Sequence, residues 1–321
     1  MRPTFLAFAS RLALATLLAS SSVGCAKERA ESIKLINEAI NKEKLGNTEV
    51  AYALYARAVA IDPTNHRAHY QMALIDLYDK KQPDKARDRL LEAEKLVADD
   101  RDVLYQLGRY YLSLEQADKA PAQAGAPGAA GAQAEGSNLD KALGYLERAL
   151  AADPNYAPAM YWKGYALMAK DNGPEADKAL RAAIALDPKY APAWRDLGEL
   201  YERFDQTAAA AEVYKRGLEF SDDTSELLNA LGSLDMAEGR PKDAIVRFEA
   251  AMQKAPDRND FIFNLAMAFV AADDTKNAFR FLGEYINRAD AAHAENVKVA
   301  HMLRARALER IEKEREEKAA P

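Results

Sequence analysis

Residues 191–224 read APAWRDLGELYERFDQTAAAAEVYKRGLEFSDDT. Trp194, Leu197, Gly198 and Tyr201, then Ala210, Tyr214 and Gly217, recur at three-and-four spacing in two blocks. That spacing predicts two short amphipathic helices joined by a turn. A window moved by thirty-four residues in either direction meets the same columns, allowing for one extra residue near Gln82-Pro83 and one long insertion. The column of Gly198 holds Ala39, Ala73, Gly108, Gly164, Gly198, Gly232 and Ala266. The column of Ala210 is alanine throughout: Ala51, Ala86, Ala142, Ala176, Ala210, Ala244 and Ala278. A third column has Pro63, Pro154, Pro188 and Pro256, with Ala98 and Asp222 in the other places. The chain reads as a repeat array.

A thirty-four-residue unit with this signature resembles the tetratricopeptide repeat, TPR. The resemblance implies an all-α fold, a right-handed superhelix of about seven helix-turn-helix repeats with a C-terminal capping helix. The physical reading agrees. A residue no larger than alanine is needed where the two helices of a unit, or of neighbouring units, cross closely. Tyr55, Leu90, Leu146, Leu180, Tyr214, Phe248 and Leu282, four residues after each helix-B alanine, are expected to fill the space beside that crossing. Asp62-Pro63, Asp153-Pro154 and Asp187-Pro188 are expected to end one helix and start the next.

Residues 1–24 read as a signal peptide: Arg2 and Arg11 flank the apolar run Leu12 to Leu18, too short to span a bilayer. The run ends at Ser22-Val23-Gly24-Cys25, and Cys25 is the only cysteine. This stretch resembles the lipobox of a bacterial lipoprotein, with Ser22 where leucine is usual. The resemblance implies acylation of Cys25 (palmitate among the chains), and Ala26 after it implies the outer membrane, facing the periplasm. Residues 25–31 are expected to form a short tether reaching about 20 Å when extended. The chain carries a net charge of −6, or −8 without Arg2 and Arg11, which speaks against nucleic acid and against direct adhesion to anionic lipid. Multiple acyl chains would supply the anchor. No second cysteine exists for a disulfide, so stacked apolar interfaces must hold the array together.

Units are expected at about 32–65, 66–100, 101–156, 157–190, 191–224, 225–258 and 259–292. The third is interrupted at 117–138 by ADKAPAQAGAPGAAGAQAEGSN, a run of Ala, Gly, Pro and Gln without an aromatic residue. Such a run buries too little to offset its ordering entropy, so a disordered insertion is expected. Residues 293–321 read as a capping helix with a charged tail. Val299, Met302, Leu303, Ala307, Leu308 and Ile311 are expected to form its apolar side.

Nothing in the sequence points to catalysis. His66 and His69 lie three apart, as a metal pair could, but no third ligand stands at suitable spacing. Asp99-Asp100-Arg101-Asp102, Ser221-Asp222-Asp223-Thr224 and Asp273-Asp274-Thr275 fall between predicted helices and read as caps rather than calcium loops. Neither a phosphate-cradling glycine loop nor a G-x-S-x-G elbow is present. The reading is no enzyme, no cofactor, no metal and no small-molecule substrate.

The TPR resemblance implies a protein or peptide partner in a concave groove lined by first-helix residues. By that register the lining is Tyr70 and Leu74, Tyr105 and Arg109, Tyr161 and Tyr165, Arg195, Asn229 and Phe263. Tyr70, Tyr105 and Tyr161 share one column in successive units and form a candidate tyrosine ladder, since aromatic rings give contact area at low entropic cost. Some TPR domains hold a carboxylate with Lys and Asn in these columns, but here only Arg195 and Asn229 are of suitable type, in different units, so an extended or helical apolar peptide fits better. The function expected is a membrane-anchored adaptor in assembly of an envelope complex. Alternatives are a pilotin-like lipoprotein for secretin or type IV pilus assembly, and a non-catalytic partner of a cell-wall or polysaccharide enzyme.

Overall fold

The computed structural model describes residues 26–119, 137–289 and 293–319. Signal segment, Cys25 and most of the Ala/Gly insertion therefore lie outside the described residues. Among those described, every regular element is helical. In chain order they are α1 (residues 26–44), α2 (Thr48–Ile61), α3 (His66–Tyr78), α4 (Pro83–Leu96), α5 (Arg101–Lys119) and α6 (Asn138–Ala152). Next come α7 (Ala157–Ala169), α8 (Gly173–Leu186), α9 (Ala191–Arg203), α10 (Thr207–Phe220) and α11 (Ser225–Ala237). The last four are α12 (Pro241–Lys254), α13 (Asn259–Ala271), α14 (Thr275–Arg288) and α15 (Ala294–Ala319). The chain divides into two compact units, Met1–Trp162 and Lys163–Pro321, with the boundary inside α7.

In the first unit, Leu35, Ile36 and Ala39 of α1 meet Ala51, Leu54, Tyr55 and Ala58 of α2 and Ala68, Met72 and Ile75 of α3 in one core. A second core joins Ala73, Ala86, Leu90, Ala93, Val103 and Leu107 from α3, α4 and α5. Helix α5 packs on α6 across the insertion: a Cβ on Gly108 would lie 2.8 Å from Leu146 Cγ. In the second unit the same approach recurs. A Cβ on Gly164 would meet Leu180 at 2.8 Å, one on Gly198 would meet the Tyr214 ring at 2.1 Å, and one on Gly232 would meet Phe248 at 2.6 Å. The small column and the column four residues after the helix-B alanine are thus two halves of one contact. Phe248, Ile262, Leu265, Ala266, Phe269, Phe281, Leu282 and Tyr285 carry that packing into the last repeat and onto Ala300 of α15.

Turns inside the repeats share a left-handed residue: Gly46 (φ 74°), Lys81 (55°), Asp171 (56°), Asp205 (57°), Gly239 (73°) and Asp273 (62°). Glycine takes this conformation freely and aspartate tolerates it, so a chain can reverse there in two or three residues. Turns between repeats work differently. The carboxylates of Asp62, Asp153 and Asp187 accept the backbone N–H groups of Thr64, Asn155 and Lys189, closing Asx-turns.

Several expectations are corrected. Pro63, Pro154 and Pro188 do not open helices; they lie in these Asx-turns, three residues before α3, α7 and α9 begin. Residues 26–31 are helical, not an extended tether, because the i, i+4 register of α1 continues back to Ala26. The insertion is shorter than 117–138: residues 117–119 extend α5, and Ser137 caps α6 in a reciprocal box with Asp140. In α15 the inward side is made by buried Ala300 and Ala307 with partly buried Val297 and Leu303, so Leu303 and Ala307 lie as expected, whereas Val299, Met302 and Leu308 are 38–47% exposed. The acidic clusters do cap helices: Asp100 accepts Asp102 and Val103 N–H, Asp223 accepts Ser225 N–H, and Asp274 accepts Asn277 N–H.

Candidate functional site

The first unit carries a connected set of aromatic side chains on α3, α5 and the start of α7. Tyr70, Leu74 and Tyr78 stand at i, i+4 and i+8 on α3 and therefore share one face, as do Tyr105 and Arg109 on α5. Gln106, itself buried, hydrogen-bonds Tyr70 and accepts the Tyr78 hydroxyl at 3.2 Å. Arg109 Nη1 donates to the same Tyr78 hydroxyl at 2.7 Å. Its guanidinium lies 5.1 Å from the Trp162 ring, 5.7 Å from Tyr105 and 5.9 Å from Tyr78. The Trp162 indole N–H reaches the Tyr105 hydroxyl, and Tyr156 packs edge-on against Tyr105 at 5.4 Å. One network thus runs Tyr70–Gln106–Tyr78–Arg109–Tyr105–Trp162.

Its electrostatics follow from partial burial. Burial first, and then the charge of Asp102, push the Tyr70 hydroxyl up to about 12. Burial also raises Tyr105, against the lowering effect of Arg109 and Trp162. These phenols are hydrogen-bond donors and apolar platforms at physiological pH. Arg109 is half-buried and makes no ion pair among the described residues. A guanidinium held by a phenol and three rings, with no carboxylate opposite, is poised to take an acceptor from another molecule.

Tyr70, Leu74, Tyr105 and Arg109 are all half-buried. Tyr161 is not accessible in this way. It is 3% exposed and turned into the packing, with Trp162 edge-on at 5.1 Å. The ladder of three tyrosines is therefore corrected to two, with Trp162 offering the third ring. Tyr78, Gln106, Tyr156 and Trp162 escaped sequence reasoning. Tyr78 was discoverable, since it continues the i, i+4 series of Tyr70 and Leu74; the burial of Tyr161 in place of Trp162 was not.

In the second unit, the remaining candidates are engaged by neighbours. Tyr165 is half-buried on α7. Arg195 donates to the buried carboxylate of Asp196 at 2.8 Å, Asn229 accepts from Asn264 Nδ2 at 2.9 Å, and Phe263 leans on Tyr285 at 4.9 Å. The Asn264–Asn229 bond ties α13 to α11 beside two of these candidates. His66 meets Asp100 at 3.4 Å and His69 meets the Pro63 carbonyl at 3.2 Å, so each ring has a separate local partner.

Comparison with known proteins agrees with this architecture. Residues 129–176 and 163–224 match the Tetratricopeptide repeat family. No curated protein sequence matches this one. Among solved structures, Pseudomonas aeruginosa pilF superposes with a TM-score of 0.56 at 14% identity, over 74% of this chain and 96% of that one. A chain of the APC/C hetero-tetramer Cut9-Hcn1 superposes with a TM-score of 0.58 at 17% identity, over 74% of this chain and 43% of that one. At such identities the likeness is one of fold. The chain has an all-α fold of the tetratricopeptide repeat type.

Proposed function

We propose that this chain is a binding scaffold of the bacterial envelope, anchored through acylated Cys25, which holds an extended segment of a protein partner across α3 and α5. It performs no reaction of its own. The supporting observation is Arg109, half-buried among Tyr78, Tyr105 and Trp162 with no ion pair among the described residues. A segment laid along this face would place apolar side chains over Tyr70 and Leu74 and an oxygen acceptor against Arg109. TPR folds serve as protein-interaction scaffolds, and their repeats build surface rather than catalytic clefts. The pilotin and cell-wall-enzyme alternatives keep the same mechanism and differ only in the partner.

A photo-crosslinking residue at position 74, used in intact envelopes, tests the binding face. The expected result is one discrete adduct, lost when Arg109→Ala is added to the same chain. Adducts that are unchanged by Arg109→Ala would reject this face as the site. For the anchor, an alkyne palmitate analogue should label the wild type and leave Cys25→Ala unlabelled. Label on both proteins, or on neither, would remove the lipid anchor from the account.

A further inference from the structure

The second unit contains a pocket of about 620 Å³ between α8, α9 and α10, a size typical of ligand sites. Its floor is the Trp194, Leu197, Tyr201 face of α9. At 100° per residue that face is turned well away from the one bearing Arg195 and Glu199, so the pocket is distinct from the groove register.

Its walls are apolar and aromatic. Trp194 stacks on Phe220 with centroids 6.0 Å apart and planes 7° apart. The indole N–H is already satisfied by the Pro188 carbonyl at 2.8 Å, leaving only ring surface toward the pocket. Phe220, at the end of α10, remains 46% exposed although it is part of this stack.

The rim supplies the charge. Arg181 is committed to Asp177 and to the Tyr201 hydroxyl, and Tyr201 in turn donates to Asp177 at 2.7 Å. Arg216 is not committed: its guanidinium lies over Trp194, 5.8 Å from the ring, with no hydrogen bond or ion pair among the described residues. Glu212 stands one turn earlier on α10, at the spacing of a helical ion pair, yet the two do not pair. Arg216 is turned over the indole instead. A chain crossing α10 here meets an apolar hole and, one turn apart on the same helix face, a cation and a carboxylate that have no ion pair among the described residues.

We propose that this pocket is a second binding site, which takes a large apolar side chain of a partner peptide whose neighbouring residue is acidic. The side chain would fill the space between Trp194, Val213 and Phe220, and the acid would pair with Arg216. Glu212 would repel a second acid on its own side, so the motif reads as one apolar anchor with one flanking carboxylate. Pairing an Arg already stacked on an indole loses less side-chain freedom than ordering a solvated one. This site does not depend on the face around Arg109.

The chain has two tryptophans, so Trp162→Phe leaves Trp194 as the only indole and its emission as a direct reporter of the pocket. The probes are three capped tetrapeptides, Ac-Leu-Phe-Asp-Ala-NH2, the same with Lys in place of Asp, and the same with Ala in place of Phe. The first should shift Trp194 emission saturably. The Lys peptide should bind at least about tenfold more weakly, equivalent to about 1.4 kcal/mol. The Ala peptide should give no shift. Arg216→Glu, at an exposed position, should reverse the order of the Asp and Lys peptides while thermal unfolding stays unchanged. The proposal is overturned by equal binding of Asp and Lys peptides, by an order that Arg216→Glu does not alter, or by no saturable shift with any peptide. It is equally overturned if dodecanoate moves the emission and the peptides do not, since the pocket would then take a fatty acid.

Discussion

Gly198 shows how much of this fold rests on single side chains. Its α-carbon stands where a Cβ would fall 2.1 Å from the Tyr214 ring, while Gly144, in α6, has nothing within 4 Å of that position. Ala39 faces Tyr55 in the corresponding place and is fully buried, so a methyl can be accommodated when the ring moves; anything larger cannot. Gly198→Leu is expected to destabilise the protein by about 1–3 kcal/mol, the usual cost of overpacking a tight core. Gly144→Ala should instead gain up to about 1 kcal/mol, from helix propensity alone. Denaturant unfolding of the two variants checks this, and equal effects in the same direction would refute the close-crossing explanation. This contact was legible in the sequence because both of its partners recur in fixed columns. Tyr161 was not legible in the same way. Its column predicts a groove position, but the ring is 3% exposed, and Trp162, the next residue, lies against Arg109 instead. Neither residue's identity encodes that choice.

At the scale of elements, apolar periodicity located the helices, and the turns carried information that periodicity does not contain. The left-handed residue within each turn is Gly, Asp or Lys, a column too mixed to notice without φ angles. Asx-turns explain why Asp-Pro recurs between repeats: the Asp carboxylate takes the N–H two residues on, and Pro supplies a fixed φ between them. Reading the proline as a helix start placed the right residue in the wrong role. Buried charge was also invisible from the sequence. Asp76 is fully buried and pairs with Arg89 at 2.7 Å, while Asp235, 3% exposed, pairs with both Arg240 and Arg247. Carboxylates at those positions look like solvent-facing helix residues until the neighbouring helix is placed. Helix α15 gives the same lesson in apolar terms. Its larger residues Met302 and Leu308 were expected inward, yet both are exposed, while Ala300 joins the expected Ala307 among the buried residues.

At the scale of the molecule, two compact units each bring surface that suits a partner. The first offers the phenol-and-guanidinium network around Arg109; the second offers the Trp194 pocket with Arg216 at its rim. Repeat arrays bury their cores through neighbour contacts and leave helix faces free for recognition, so binding is the function such a fold provides most directly. Most of the gross architecture was legible because the repeat imposes it many times over. Binding residues are legible only in part, because recognition depends on which way each ring and guanidinium turns, and that is decided once per site. The central claim is that Arg109 and its rings hold the partner. Its most direct test is the affinity of the purified protein for the segment crosslinked at position 74, compared between wild type and Arg109→Ala at matched thermal stability. A loss of at least about tenfold, or about 1.4 kcal/mol, is predicted, as befits a hot-spot arginine. A dissociation constant unchanged within a factor of about two, on a scale where tenfold is about 1.4 kcal/mol, would contradict the account.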